Sequence, residues 1–342
     1  MASSWKKVTL GQVCQKITDG AHNSPASVDN GFPMASVKDL TRFGINTNSA
    51  RHISVEDYHQ LVAQGCKPEV GDVLIAKDGN SALDTVCVFE KDEDVVLLSS
   101  VAILRPNREL VSPYFLKHWF STSTTIRYLK EHFISGAAIP RVVLKDFKRA
   151  EILLPSLEEQ NDISHILNSL DDRILLNQKQ NATLEAMAQA IFKSWFVDFD
   201  PVKAKVEGRQ PEGMDAATAA LFPSRLVESD LGSIPEGWGI GKIDNLFLLQ
   251  RGFDLPKTQR TDGDYPVIAA SGYSETHNEF MAIAPGVTTG RSGVLGNVYF
   301  IHENFWPLNT SLFVKEYKLS TPAHAYFVPC LSGFHPLHLH VG

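Results

Sequence analysis

One stretch of the chain, from residue 155 to residue 200, has a hydrophobic period that sets it apart from the rest. Its apolar positions follow one another at alternating steps of four and three, a repeat of seven that is typical of a coiled-coil seam. Ser156 and Glu159 have the spacing of a capping box, and Pro201 predicts the end of the helix because proline lacks the amide that an interior turn needs. The predicted seam positions are Ile163, Leu167, Leu170, Ile174, Asn177, Asn181, Leu184, Ala188, Ile191 and Trp195.

Two asparagines, Asn177 and Asn181, interrupt the apolar seam. A buried amide without a partner costs free energy, so these residues favour a register in which they hydrogen-bond each other. A helix of this length spans about 60 Å. The alternative is an amphipathic helix packed on its own domain, but such long helices are uncommon inside compact domains, so the pattern favours the coiled coil.

The residues before this helix, 1 to 154, alternate short β-type runs with glycine and aspartate turns, as in GDVLIAKDG and VVLLSSVAIL. A helix is predicted over SPYFLKHWFSTSTTIRYLKEHF, starting at Ser112-Pro113, and another strand precedes the long helix. Residues 201 to 235 are polar and contain proline and glycine, which predicts a linker with one short helix at 214 to 221. The pattern indicates a mixed α/β (α+β) fold with two domains joined by a long helix.

Residues 236 to 342 repeat the order of motifs of the first domain when Trp238 is laid on Trp5. The shared order argues against chance. The repeat ends before any counterpart of the long helix, so we expect the second domain to be incomplete at its C-terminal end. The matched segments are Gly20 with Gly252, GFP with GDYP, GDVLIAKDG with GVTTGRSG, LLSSVAIL with PLNTSLFV, and LVSPYFLKHWF with LSTPAHAYFVP.

Length and charge narrow the class of protein. The chain has 342 residues, more than one hydrophobic core usually supports, and a net charge of −7, which argues against attraction of nucleic acid over the whole surface. Residues 155 to 200 hold eight acidic and three basic side chains, so local basic faces remain possible on the flanking domains. No apolar run is long enough to cross a bilayer and the N-terminus lacks the apolar core of a signal peptide, so we expect a cytoplasmic protein.

Metal binding and disulfides are not predicted. The four cysteines are scattered without a CxxC pair, and three histidines in the last residues lack acidic or cysteine partners. These residues are Cys14, Cys66, Cys87 and Cys330, and His335, His338 and His340.

Catalytic motifs are also missing from the sequence. There is no phosphate-binding P-loop, no aromatic motif of the kind that amino-methyltransferases use, no nucleophile elbow and no HExxH. What recurs is a loop of small residues beside a cation, Lys77 to Ser81 in the first half and Thr289 to Gly293 in the second. Such a loop can approach a phosphate or a guanine edge, or it can be an ordinary hairpin turn with a solvated charge.

Several motifs resemble the specificity (S) subunit of type I restriction-modification enzymes. They are the opening W-x4-LG-x-V with ITDGAH, the segments GDVLIAKDG and SGAAIPR, and above all LPSLEEQNDISHILNSLDDRILLNQKQNATLEAMAQAIFKSWFVDFDPVKAK with LFPSRLVESDLGSIPEGW after it. The resemblance implies two target-recognition domains, each contacting one half of a bipartite double-stranded DNA target, separated by helices of a coiled coil.

The resemblance also implies a chain without catalytic activity or bound cofactor. In that family the modification (methyltransferase) subunits use S-adenosylmethionine, and the restriction subunits, a translocase and nuclease, use ATP and Mg²⁺. The DNA-contact residues that the resemblance suggests are Thr18, Asp19, Gly20, His22, Asn23, Lys77, Asp78, Gly79, Asn80, Ser81 and Arg141 in the first domain and Ser271, Gly272, Arg291, Ser292 and Gly293 in the second.

The sequence departs from the family pattern at its end, where FHPLHLHVG stands in place of a second LP-x-LEEQ helix. We therefore expect a truncated S subunit, active or inactive, whose helix exposes an apolar seam and favours self-association. A coiled-coil scaffold whose domains bind protein is the alternative from another functional class.

Overall fold

The structure is a computed structural model that describes residues 5–79, 82–135, 141–230, 232–294, 296–323 and 325–326. The chain divides into two compact units, Met1–Lys179 and Gln180–Gly342. Both contain sheets, and one long helix runs through the boundary between them. The mixed α/β class predicted from the sequence is confirmed.

The first unit is built from short strands and from helices that lie mainly in its second half. Its strands are β1 (Lys6–Thr9), β2 (Cys14–Asp19), β3 (Phe32–Ala35), β4 (Leu40–Thr41), β5 (Gly44–Ile45), β6 (Arg51–Ile53), β7 (Val73–Ala76), β8 (Val86–Val88), β9 (Val96–Leu97), β10 (Val101–Pro106), β11 (Ile134–Ser135), β12 (Arg141–Val142) and β13 (Glu151–Leu154). Its helices are α1 (Leu10–Val13), α2 (Val55–Ala63), α3 (Pro113–Ser121), α4 (Ser123–Phe133), α5 (Leu144–Phe147) and the start of α6 (Leu157–Phe196).

The centre of the first unit is a four-stranded antiparallel sheet with the order β2-β10-β7-β8. All four side chains of β7 are buried. Because side chains alternate along a strand, Val73 and Ile75 enter one hydrophobic cluster and Leu74 and Ala76 enter another on the opposite face. A second sheet has the order β6-β3-β9, in which β3 and β9 are parallel.

The second unit repeats both sheets. It contains the rest of α6, then α7 (Asp200–Val206), α8 (Ala216–Ala220), β14 (Leu226–Ser229), β15 (Gly232–Pro235), β16 (Phe247–Arg251), β17 (Tyr265–Ala269), β18 (Gly272–His277), β19 (Gly286–Gly290), β20 (Val298–Ile301), β21 (Trp306–Pro307) and β22 (Ser311–Tyr317). Its four-stranded sheet has the order β16-β22-β19-β20, and its three-stranded sheet has the order β18-β17-β21 with β17 and β21 parallel. These orders match those of the first unit strand for strand.

A glycine marks the same position in both units. A Cβ atom on Gly20 would lie 2.1 Å from the Leu97 carbonyl oxygen, and a Cβ atom on Gly252 would lie 2.2 Å from the Leu308 carbonyl oxygen. Neither site admits a side chain, because backbone passes directly across it. The internal repeat predicted from the sequence is therefore confirmed in the backbone.

The long helix forms as predicted, but its ends differ in detail. Ser156 Oγ accepts a hydrogen bond from the Glu159 amide at 3.2 Å, whereas the Glu159 carboxylate accepts one from Trp5 Nε1 at 3.0 Å instead of closing the capping box. The helix ends at Phe196, not at Pro201, because Phe199 adopts a left-handed conformation and Pro201 lies in the first turn of α7, where proline is tolerated.

Two other predicted segments are more structured than the sequence indicated. The helix predicted from Ser112 is two helices, α3 and α4, and the break falls at Thr122, whose Oγ1 accepts from the Thr125 amide at 3.3 Å. The segment 201 to 235, predicted as a linker, holds α7, α8 and the β14–β15 hairpin. Its apolar residues Val202, Met214, Ala219 and Phe222 form a small core against Trp195 and Phe199.

The first turns of α6 pack on the first unit through polar side chains. Gln160 is fully buried, and its Oε1 accepts a hydrogen bond from the Ser112 amide at 2.9 Å. Its Nε2 donates to the carbonyl oxygens of Pro155 and Leu110, at 3.0 and 3.1 Å. A side-chain amide that is satisfied on both ends can be buried without a large penalty, so Gln160 fixes the helix to the start of α3.

About two and three turns further along α6, polar contacts continue on the same face. Asn168 Oδ1 lies 2.8 Å from His118 Nε2, and Asp171 Oδ2 lies 2.8 Å from Lys117 Nζ. Arg42 reaches the other Asp171 oxygen at 2.5 Å. Burial by itself raises the pKa of the Asp171 carboxyl, but the bonds to Lys117 and Arg42 outweigh it and hold that pKa below its ordinary value. Asp171 therefore stays ionised at neutral pH and joins α6 to α3.

Asp171→Ala removes this carboxylate and leaves the Lys117 ammonium buried without its main partner. Breaking a buried ion pair in this way costs about 3–5 kcal/mol, so we expect the free energy of unfolding of the first unit to fall by about that amount in urea titrations. Asp172→Ala is the matched control, because Asp172 is the exposed neighbour, and it should change the free energy by less than about 0.5 kcal/mol. Equal effects of the two variants would contradict the assignment.

His118 predicts a pH dependence of stability. Burial, together with the charge of Lys117, lowers the pKa of His118 in the folded state. Its contribution is therefore fully present above the ordinary value of 6.5 and is lost as the pH falls through the lowered folded-state pKa. Thermal denaturation at about pH 7.5 and about pH 5.5 should show a larger drop in Tm for the wild type than for His118→Gln, which cannot be protonated. Identical drops would show that His118 does not contribute.

Candidate functional site

The polar residues predicted in the first unit meet at one edge of its central sheet. Asp19 is the last residue of β2 and Lys77 follows β7, and both flank the start of β10. Lys77 Nζ lies 2.8 Å from Asp19 Oδ2, and His22 Nε2 lies 3.3 Å from Asp19 Oδ1. The fold thus brings together residues that are 58 positions apart in the sequence.

Arg141 joins the same cluster from a distant part of the chain. Its Nε lies 3.1 Å from Asp78 Oδ1, and the amide of Val142 donates to the Lys77 carbonyl oxygen at 3.0 Å. Asp78 also lies 3.8 Å from Lys77 Nζ. We define the first-unit cluster as Asp19, His22, Lys77, Asp78 and Arg141. Of the other predicted residues, Asn80 and Ser81 lie outside the described residues, as does most of the SGAAIPR segment.

Exposure divides the first-unit cluster into an inner and an outer part. The Lys77 side chain is 6% exposed and Asp19 is 13% exposed, whereas His22 is 76% and Arg141 is 61% exposed. A buried ammonium paired with a largely buried carboxylate acts first as a structural tie between two strands. The solvent-facing groups of this cluster are the imidazole and the guanidinium, with Asn23 exposed beside them.

The remaining predicted residues of the first unit shape the backbone around the cluster. Thr18 is half-buried on β2 and pairs with Ile103, next to Asp19. Gly20 is the glycine that passes under the Leu97 carbonyl, and Gly79 has a φ of +86°, a conformation that favours glycine. The roles of these residues toward DNA stay predictions.

Hydrogen bonds identify the equivalent positions in the second unit. The Lys77 amide donates to the Ser100 carbonyl oxygen at 2.8 Å, and the Arg291 amide donates to the Thr310 carbonyl oxygen at 2.9 Å. Arg291 therefore occupies the place of Lys77, as the matched motifs predicted. Asp19 pairs with the second residue of β10, and Arg251 pairs with the second residue of β22, so Arg251 occupies the place of Asp19.

The second unit has its own polar network at this edge. Arg251 NH2 lies 3.0 Å from Asp254 Oδ2, Asn309 Nδ2 donates to Asp254 Oδ1, and Arg291 NH1 donates to the Asn309 carbonyl oxygen at 2.9 Å. We define the second-unit cluster as Arg251, Asp254, Arg291 and Asn309. Sequence reasoning missed Arg251 and Asp254, although the match of Gly20 with Gly252 already placed Arg251 beside Asp19 in the repeat.

The predicted turn residues of the second unit lie beside this cluster. The Ala270 amide donates to Thr310 Oγ1 at 3.3 Å, which ties the β17–β18 turn, with exposed Ser271, to the start of β22. Gly272 has a φ of +98°, and a Cβ there would lie 2.8 Å from the Tyr299 ring. Ser292 and Gly293 follow Arg291 in an exposed loop, and the Ser292 amide donates to the Thr310 carbonyl oxygen at 3.3 Å.

The predicted coiled-coil seam on α6 is largely solvent-exposed. Leu170, Ile174, Leu184 and Ile191 are 55%, 43%, 62% and 47% exposed. The two asparagines are exposed as well, while Leu167 and Ala188 are half-buried. Only the ends of the seam are packed: Ile163 rests on the core of the first unit, and Trp195 belongs to the small core after the helix.

The described residues were also compared with the requirements of a metal site, a reactive thiol and a membrane-spanning helix. They contain no group of three or more His, Cys, Asp or Glu side chains that could hold a metal ion, and the three C-terminal histidines and Cys330 lie outside them. Cys14, Cys66 and Cys87 are buried free thiols, and burial raises the pKa of Cys14 and of Cys87 to about 12, so both stay protonated. Over the same residues, no helix is both long and apolar enough to traverse a bilayer.

Comparison with known proteins points to one family. The model of the family described as type I restriction modification DNA specificity domain matches residues 2–186. The HindI specificity subunit of Haemophilus influenzae is 28% identical over 286 residues, which cover 71% of this chain and 60% of that subunit. The MjaIX specificity subunit of Methanocaldococcus jannaschii is 31% identical over 154 residues, which cover 45% of this chain and 31% of that subunit.

Solved structures of the same kind of protein are similar over most of the chain. The S subunit of a type I restriction-modification system from M. genitalium has a TM-score of 0.39 and 16% identity, with 92% of this chain and 73% of that one covered. The HsdS subunit from Thermoanaerobacter tengcongensis has a TM-score of 0.36 and 16% identity, with 92% and 76% covered. The chain spans less than two thirds of the length of the curated relatives named above.

Because Lys77 is buried, a substitution there can distinguish a structural role of this side chain from a role in DNA contact. Lys77→Ala leaves the Asp19 carboxylate poorly compensated in a buried position, so we expect the first unit to lose roughly 3 kcal/mol of stability, seen as a lower Tm. Arg141→Ala removes an exposed charge and should cost less than about 1 kcal/mol. If Lys77→Ala instead lowered DNA affinity and left Tm unchanged, Lys77 would be a DNA contact and not a structural tie.

Proposed function

The chain belongs to the family of type I restriction-modification DNA specificity domains, and from this membership we propose that it selects the DNA sequence on which a type I restriction-modification complex acts. Each unit contacts one half of a bipartite double-stranded target. The chain itself performs no chemistry and binds no cofactor. Family membership over residues 2–186 is the observation that carries this proposal.

The repeated site supports recognition of two half-sites. Both units present a polar cluster at the same edge of the same four-stranded sheet, beside the start of β10 in one unit and of β22 in the other. The backbone of the cluster is shared, whereas the side chains differ. Since side chains at base edges specify sequence, two such sites on one backbone plan are suited to read two different half-sites.

The exposed seam of α6 supports a role in assembly. Leucines and isoleucines in a row on one helix face are costly to leave in water, and a partner helix covers such a stripe in coiled coils. We propose that this surface, together with the segment that follows the helix, docks the modification and restriction subunits. These partners supply S-adenosylmethionine, ATP and Mg²⁺, and the complex works in the cytoplasm.

A second candidate function is favoured by the same exposed seam. A coiled-coil scaffold whose flanking units bind protein would expose an identical stripe, and so would an S chain that associates with itself. A scaffold does not require the polar clusters, so DNA selectivity separates it from the proposed function. An S chain that associates with itself is separated by the form of the motif that it selects.

The proposal is tested by co-expressing the chain with its modification subunit in a host that lacks adenine methylation and by mapping methylated adenines across the genome. We expect one bipartite motif with two different halves. Methylation must also be absent when the modification subunit is expressed alone, since the chain supplies the selectivity.

Other outcomes of this experiment identify the alternatives. A palindrome made of a single half-site would mean that two copies of the chain read DNA with one unit each. A stable complex with the modification subunit but no methylated motif would favour a scaffold or an inactive specificity chain.

A further inference from the structure

The two units carry opposite charges at one equivalent position. Asp19 ends β2 of the first unit and Arg251 ends β16 of the second, and both pair with the second residue of the neighbouring central strand. The adjacent cation is kept in both units, as Lys77 and as Arg291. A carboxylate beside a cation in one unit has thus become a second cation in the other.

This exchange changes what each cluster can offer to a ligand. In the first unit, Asp19 and Asp78 stand against Lys77 and Arg141, so the two carboxylates offset the two cations. In the second unit, Asp254 alone stands against Arg251 and Arg291, which leaves a formal excess of one positive charge. In the first unit Lys77 is buried and Arg141 is exposed, whereas in the second unit both Arg251 and Arg291 are exposed.

We propose that Arg251 and Arg291 are the paired DNA contacts of the second unit, and that this unit supplies more of the charge-dependent binding than the first. The inference rests on the proposed function and names the residues of the second half-site. The ligand group is one that accepts hydrogen bonds from a guanidinium, either a backbone phosphate or the O6/N7 edge of guanine.

The network holds both arginines ready for such a ligand. Asp254 meets Arg251 through one terminal nitrogen, and a guanidinium carries five N–H donors, so donors remain for a second acceptor. Asn309 links Asp254 to the Arg291 side chain, because its side-chain amide donates to Asp254 and its backbone carbonyl oxygen accepts from Arg291. This arrangement restricts the rotamers of two long side chains before DNA arrives, which lowers the entropy cost of binding.

The spacing of the two arginines suits a duplex. Arg251 lies on β16 and Arg291 follows β19, with β22 between them. Two steps between neighbouring strands amount to roughly 10 Å, close to the rise of about three nucleotides along one strand of DNA. The backbone positions of the two arginines are therefore close enough for both side chains to serve one short stretch of the target.

The test uses the full chain in complex with its modification subunit and a duplex that carries the methylated motif of the wild type. Arg251→Gln and Arg291→Gln should each weaken binding by about tenfold or more, and each should reduce the slope of log affinity against log salt by about one if the contact is to phosphate. Lys315→Gln is the matched control, because Lys315 is an exposed cation of the same unit that lies toward the other end of β22 from the residue that pairs with Arg251.

Two further arms distinguish a phosphate from a guanine. If Arg251 contacts a phosphate, its loss weakens binding to all sequences alike, and Arg251→Lys largely restores the affinity. If Arg251 makes a bidentate contact with guanine, lysine does not restore the affinity, and the methylated motif becomes less selective at one position of one half-site. Either result supports the inference. Wild-type affinity and salt slope in both glutamine variants would overturn it.

Failure of the proposed function looks different. In that case the wild-type complex itself shows no sequence preference and no methylated motif, so the arginine variants have nothing to change. If the wild type is selective but both arginine variants keep its DNA affinity and salt slope, only the inference about Arg251 and Arg291 is contradicted.

Discussion

The buried contact of Asp171 with Lys117 and Arg42 decides how the long helix is used. Together with Gln160 and its three hydrogen bonds, it fixes a polar face of α6 to the first unit. A buried carboxylate needs its cations in place, which makes this contact specific for one rotation of the helix about its axis. Between its packed ends, Ile163 and Trp195, the apolar stripe consequently stays largely on the surface.

A second constraint is the backbone that both units share. The crossing of Gly20 under Leu97, and of Gly252 under Leu308, brings the end of one strand against the start of the central strand. This crossing places residue 19 or residue 251 next to the cation that follows β7 or β19. Because the backbone is fixed by close packing and hydrogen bonds, the flanking side chains can change from carboxylate to guanidinium without changing the fold.

The two clusters differ in which charged side chains are paired internally and which face the solvent. In the first unit Lys77 pairs internally with Asp19, and His22 and Arg141 face the solvent. In the second unit two arginines face the solvent. If Arg251 and Arg291 contact DNA as proposed, binding and stability depend on different residues in the two halves. This division also explains why charge counted over the whole chain, −7, says little about the local surfaces that would meet DNA.

Much was determined by the sequence itself: the seven-residue period of α6, the α/β class and the internal repeat with Lys77 opposite Arg291. These are local patterns or patterns of order, so they can be read along the chain. Only the tertiary structure decided that Lys77 is buried and that α6 packs by its polar face. Each of these depends on partners far away in the sequence, and the burial of a charge is set by those partners and not by its neighbours along the chain.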